Sequence, residues 1–228
     1  MNMRQIINNS PVVGPIARRI YRTWINPPKS FQGSESYWKN RYEAGGNSGD
    51  GSYNQLAEFK AEVLNTFISE NGITSVIEYG CGDGNQLSLA HYPKYIGFDV
   101  STKAISMCLK SFSNDEIKAF KLMKEYSGET AELTLSLDVI YHLVEDNVFL
   151  DYMNRLFDSS ERLVVIYSSD HDKNPKGTAP HVRHRHFSKW IKENKAEWKL
   201  INHIPNRYPF KGDTKSGSCA DFFIYSKA

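Results

Sequence analysis

Apolar residues in this chain gather into short unbroken runs, separated by stretches in which they return every three to four positions. Val76-Ile77-Glu78-Tyr79, Tyr95-Ile96-Gly97-Phe98-Asp99-Val100, residues 133–142 and residues 162–169 are runs of strand length. Their nearly continuous apolar character predicts strands buried on both faces, as in a parallel sheet covered by helices. Residues 55–70 carry Leu56, Phe59, Val63, Leu64 and Phe67 at helical intervals, and residues 146–157 and 187–194 read as further helices. A short aromatic helix, 36–42, precedes them, followed by a glycine-rich loop over 45–53. Residues 198–204 and 221–225 predict two closing strands, with Pro205, Pro209, Gly212 and Gly217 between them. That connection has no room for a crossover helix, so the pair should run antiparallel. The pattern is α/β: a mostly parallel sheet with helices on both faces and a C-terminal antiparallel hairpin.

Three of the apolar runs place an acid at the end of a strand: Glu78, Asp99 and Asp138. Ligands of open α/β sheets bind outside the carboxyl ends of the strands, so these acids should converge on one crevice. After Glu78 come Gly80, Gly82 and Gly84 in alternation. Without a Cβ the chain can turn sharply out of the strand and bring bare backbone against a ligand, ahead of a helix N-terminus. A dinucleotide fingerprint would need its third glycine at position 85, where this chain has Asn85. A tight strand-to-helix turn without a ligand is the competing reading of the glycines. Asp99 lies about twenty residues beyond Glu78, the interval at which a carboxylate accepts from ribose hydroxyls. It could instead cap the helix that begins near Ser101, although Ser101 could fill that role itself.

The motif Glu78-x-Gly80-x-Gly82-x-Gly84 resembles the first motif of class I S-adenosylmethionine (SAM) dependent methyltransferases. The resemblance runs from Tyr37 to the C-terminus. It implies a Rossmann-like seven-stranded fold, with SAM as cofactor and S-adenosylhomocysteine (SAH) as product. It also implies that Gly80, Cys81, Gly82, Gly84 and Asn85 follow the methionine part, that Asp99, Val100 and Ser101 meet the ribose, and that Asp138 and Val139 lie near the methyl group or the amine. Elements before the first strand close over the cofactor in similar proteins, so residues 36–55 are expected to form a lid. There Tyr37 and Arg41 would meet the cofactor carboxylate, or else belong to an exposed aromatic linker.

A narrower likeness rests on Tyr37-Trp38-x-x-Arg41-Tyr42, the glycine-rich loop, Phe59-Lys60-Ala61-Glu62 and Ser136-Leu137-Asp138-Val139-Ile140-Tyr141-His142-Leu143. These look like bacterial methyltransferases associated with surface-polysaccharide and secondary-glycan assembly. No Asn/Asp-Pro-Pro-Tyr/Phe tetrapeptide follows the Asp138 strand to stack a flipped base, which disfavours amino-methylation of DNA.

Methyl transfer to a hydroxyl needs the acceptor held in line and a base to take its proton. His142, just after Asp138, is the first candidate, with a half-buried histidine bonded to backbone as the other reading. His171, His181 and His184 follow the next strand and offer alternative bases. With Arg183 and Arg185 they could grip an anionic acceptor such as a phosphate or uronic acid, or form a solvated loop. His181-x-x-His184-x-His186 lacks a recognised zinc spacing, and no metal is expected. The expected activity is O-methylation of a sugar, a phosphorylated glycan end or another small acceptor. The alternatives are methylation of a small natural product or of a nitrogen or carboxyl group, a non-catalytic SAM-binding interaction module, and an NAD-dependent reductase.

Composition narrows the setting. The chain has 228 residues, 40% of them hydrophobic, enough for one sizeable core without a staple. Cys81, Cys108 and Cys219 are odd in number and widely spaced, which fits a reducing cytoplasm better than a disulfide framework. A net charge of +2 gives no broad field for nucleic acid. Neither a signal-peptide core nor a run long enough to span a membrane is found. Residues 1–35 divide from a methyltransferase domain over 36–228. Within the first part, 16–25 mixes basic and apolar residues at helical spacing, and Asn26-Pro27-Pro28-Lys29-Ser30 reads as a linker. That helix would pack on its own domain or on a second subunit, or lie on a membrane surface, leaving monomer and homodimer both open.

Overall fold

The computed structural model describes residues 31–228, so the basic segment 16–25 and its linker lie outside the described residues. From Gly33 onward the elements are α1 (Ser34–Glu43), α2 (Asn54–Glu70), β1 (Ser75–Tyr79), β2 (Lys94–Asp99), α3 (Thr102–Ser111), β3 (Lys118–Leu122), β4 (Ala131–Leu137), α4 (Asp146–Asp158), β5 (Ser160–Ser168), α5 (Phe187–Asn194), β6 (Trp198–Ile204) and β7 (Asp221–Lys227). Seven strands form one sheet in the order β3-β2-β1-β4-β5-β7-β6. The first five are parallel, and β7 inserts antiparallel between β5 and β6. Among the described residues no helix is long and apolar enough to cross a membrane.

Alternation along the strands builds two cores. Val76, Leu133, Leu135, Leu163, Val165, Phe222 and Ile224 face one side, with Phe59, Leu64 and Ile68 of α2 and Ile105 and Cys108 of α3. Ile77, Tyr79, Phe98, Val164, Ile166 and Phe223 face the other, with Met153, Leu156 and Phe157 of α4 and Phe187 and Ile191 of α5. Both faces are dry, which is why the central strands read as continuous apolar runs. The edge strand β3 breaks that rule and carries no comparable signal: only Phe120 of its five residues is buried, between lysines at 118 and 121.

This layout turns the carboxyl ends of β1, β2 and β4 toward one edge of the sheet. Their parallel pairings align Glu78 with Gly97 and with Leu135, so Asp99 and Asp138 flank the carboxyl end of β1 on either side. Ser101 caps α3 by accepting from the Ala104 N–H at 3.2 Å, which leaves Asp99 free of the capping role.

Candidate functional site

Two glycines of the loop after β1 occupy positions no other residue would fit. Gly80 has φ +88°, and a Cβ there would lie 2.5 Å from Val139 Cγ2. Gly82 has φ +59°, and its Cβ would lie 2.3 Å from Ser48 Oγ. Both the left-handed backbone and the close approach therefore demand glycine. The loop's amides are committed internally. Gly80 and Cys81 donate to the Phe98 carbonyl at 2.7 and 3.0 Å, and Gly82 donates to Asp99 Oδ2 at 3.0 Å. The loop thus offers a ligand bare peptide surface, with its own N–H groups already used.

Asp99 accepts a second bond at Oδ1, from the Ser101 N–H at 2.8 Å. A carboxylate has about four lone-pair positions, so each oxygen retains capacity beyond its one backbone donor. Burial raises its pKa to about 6, against the lowering effect of those backbone N–H groups. Glu78 is deeper: its Oε2 accepts from the Tyr95 hydroxyl at 2.7 Å, and burial lifts it to about 7. Asp138 stands at φ +60°, uncommon outside glycine, and is held at three points. Lys60 Nζ lies 2.6 Å from Oδ2, the Tyr141 hydroxyl donates to Oδ1 at 2.7 Å, and its own N–H donates to the Tyr167 carbonyl at 2.9 Å.

Glu78, Asp99 and Asp138 wall a cavity of about 300 Å³ at the carboxyl edge, together with Gly80, Cys81, Gly82, Val100 and Val139. It extends from Met123, after β3, to His142, after β4. His142 sits on the 3-10 turn Ile140–His142, past the end of the strand that the sequence extended to it. Its Nδ1 is 3.0 Å from the His181 carbonyl, and burial draws its pKa down to about 4.

Several expected site residues lie elsewhere, each for a visible reason. Tyr37 stacks on His181 with centroids 4.0 Å apart, and Arg41 spends Nε and Nη2 on Asn47 at 2.6 and 3.2 Å. Gly84 backs onto Phe112 and Cys108 of the α3 side, Asn85 holds the Ser52 carbonyl at 2.6 Å, and Ser101 caps its helix. His184 Nδ1 is 2.6 Å from Ser169 Oγ, with His171 packed 4.7 Å from it, beside β5 and outside the cavity wall. Arg183 and Arg185 do not reach out to an anion: both bond the Val144 carbonyl and pair with Asp146.

Other residues enter that the sequence reading did not single out as site residues. α1 contributes Trp38 and Tyr42, and α4 contributes Val148, Asp151, Tyr152 and Arg155, whose 148-151-152-155 spacing is one helical face. The loop before α2 closes over the glycines. Ser48 accepts from the Asp83 N–H at 3.0 Å, and Asp83 Oδ2 accepts from the Ser48 N–H at 2.9 Å and the Tyr53 hydroxyl at 2.8 Å.

No protein-family model and no curated protein matches the chain. Solved structures do. The N-methyltransferase NodS from Bradyrhizobium japonicum WM9, in complex with SAH, is 12% identical with a TM-score of 0.65 over 86% of this chain and 99% of its own. The magnesium protoporphyrin IX methyltransferase ChlM from Synechocystis PCC 6803, with bound SAM, is 13% identical with a TM-score of 0.61 over 88% and 100%. The CcbJ methyltransferase from Streptomyces caelestis is 12% identical with a TM-score of 0.57 over 83% and 96%. At such identities it is the fold that is shared: this chain folds as these methyltransferases do.

Proposed function

We propose that the chain is a SAM-dependent methyltransferase acting on an oxygen of a sugar, a phosphorylated glycan end or another small acceptor. One observation carries the donor half. Asp99 stands at the carboxyl end of β2 with each oxygen anchored by one backbone N–H and spare acceptor capacity at a cavity wall, beside two glycines with positive φ. That arrangement suits a vicinal pair of ribose hydroxyls, with Glu78 and Asp138 farther along the same edge for a cationic amine. SAM bound there supplies a methyl group on a positive sulfonium.

The acceptor half rests on His142. A carbonyl oxygen can only accept, so the His181 contact requires hydrogen on Nδ1 and leaves the lone pair on Nε2. With its pKa near 4, the ring is neutral at pH 7 with that lone pair free, and so low a pKa makes it a weak base that takes a hydroxyl proton only as the bond to the methyl forms. The fold itself does not choose an acceptor, and NodS and ChlM are named for different ones. Incubation with labelled SAM and a panel of sugars, nucleotide sugars and small phenols tests the reading. Label should pass to a hydroxyl-bearing acceptor with SAH released in step. SAH binding without release for any acceptor would instead favour a non-catalytic binding module.

A further inference from the structure

Resting on that donor reading, we infer that the acceptor hydroxyl belongs to an uncharged sugar-like ring lying against the indole of Trp38, and not to a phosphorylated or uronic acid end. The first ground is charge. Glu35, Glu78, Asp99, Asp138 and Asp151 all line the cavity, and among the described residues the only lysine or arginine in its wall is Arg155. Arg155 lies toward the β3 end, donating to the Met123 carbonyl at 3.4 Å with its guanidinium 5.0 Å from the Tyr126 ring. The donor's own positive charge would be met by the acids beneath it, which leaves no surplus cation for an acceptor phosphate.

Four cations outside that wall are already engaged. Lys60 is fully buried against Asp138, and Arg41 is folded onto Asn47. Arg185 donates to the Leu143 and Val144 carbonyls at 3.0 and 2.8 Å and to Asp146 at 2.7 Å, and Arg183 shares the last two partners. Recruiting any of them to an anion would break bonds that hold the loop bearing His142 or its neighbours.

The second ground is shape. An acceptor hydroxyl must come within about 2.6–3.2 Å of the base to give up its proton, so the rest of the acceptor lies beside whatever surrounds His142. That is an aromatic wall. Trp38, which lines the cavity with His142, stands edge-on to it with centroids 4.9 Å apart, and outside the lining His181 stacks between Tyr37 and His142 at 4.0 and 5.4 Å. Both imidazoles have their pKa lowered by burial and by the Arg41 charge and are uncharged near neutrality, while Arg41, outside the cavity lining, holds its guanidinium 5.7 Å from the Trp38 ring with Nε and Nη2 on Asn47. A pyranose presents an apolar C–H face to such a surface while its hydroxyls point around the rim, where one can reach Nε2.

The test uses the full chain, SAM and matched acceptors: neutral hexosides, their phosphate esters, hexuronic acids and amino sugars. Neutral hexosides should be methylated with kcat/KM about 100-fold above the phosphorylated or uronic members. Trp38→Ala should raise the KM of the neutral acceptor about tenfold, and Trp38→Phe far less, with SAH affinity changed less than about threefold in both. Equal or faster turnover of a phosphorylated, uronic or amino sugar overturns the inference, as does an unchanged KM in Trp38→Ala or SAH binding without methylation of any neutral member. Failure of the donor reading looks different, because the unmutated protein would then bind no SAH at all.

Discussion

The carbonyl oxygen of His181 lies 3.0 Å from Nδ1 of His142, and this contact decides which nitrogen of the imidazole is basic. It also ties a loop 39 residues downstream to the turn after β4. Burial keeps the ring neutral down to about pH 4. With SAM saturating, kcat should therefore change little between pH 6 and 8, whereas an ordinary histidine base would lose activity below about 6.5. Replacing His142 with alanine should lower kcat by about 10²–10⁴-fold while SAH affinity stays within a few-fold. A fall in SAH affinity of the same size would show that the residue holds the donor instead.

Lys60 and Asp138 form a buried ion pair, and removing one partner strands the other. Lys60→Met should destabilise the protein by about 3–5 kcal/mol in denaturant titrations, because Asp138 then keeps a charge with no counterion. Adding Asp138→Asn should recover part of that loss, and the double-mutant cycle should show strong coupling. Additive effects would mean that the pair is not energetically linked.

Lys60 also marks where the sequence reading stopped short. Leu56, Lys60 and Leu64 lie four apart on one face of α2 and are all buried, so the lysine occupies a core position that an apolar-only pattern skips. Val63 and Phe67, counted in that pattern, are only partly buried. The acids Glu78, Asp99 and Asp138 were legible because strands buried on both faces make sharp apolar runs, and a charge at the end of one stands out. Strand β3 was not, since an edge strand buries little and alternates with lysine. The α4 face reaches the cavity only through tertiary packing, which no local spacing announces, whereas Trp38 belongs to the segment expected as a lid without having been singled out there. His142 was legible as a residue after an acid-tipped strand, but the tautomer of its ring depends on the distant His181 carbonyl.

Glu78 should make the apoprotein less stable as pH rises. Its folded pKa of about 7 exceeds the ordinary value of 4.5, so the native state keeps a proton that the unfolded chain releases between those values. The associated stability is present below the unfolded pKa and lost as pH rises through the folded one. Glu78→Gln, which can still accept from Tyr95, should raise the melting temperature at pH 8 by several degrees, corresponding to at most about 3 kcal/mol. Near pH 4 the variant and the parent should melt together. A gain of equal size at both pH values would assign the effect to packing and not to the buried charge.

The most direct measurement is calorimetric titration of the purified protein and its Asp99→Ala variant with SAH. The account predicts one-site binding by the parent and an affinity lower by about 10–100-fold in the variant, the loss expected when hydrogen bonds to a carboxylate are removed. No heat with the parent protein, or the same affinity in both, would contradict it.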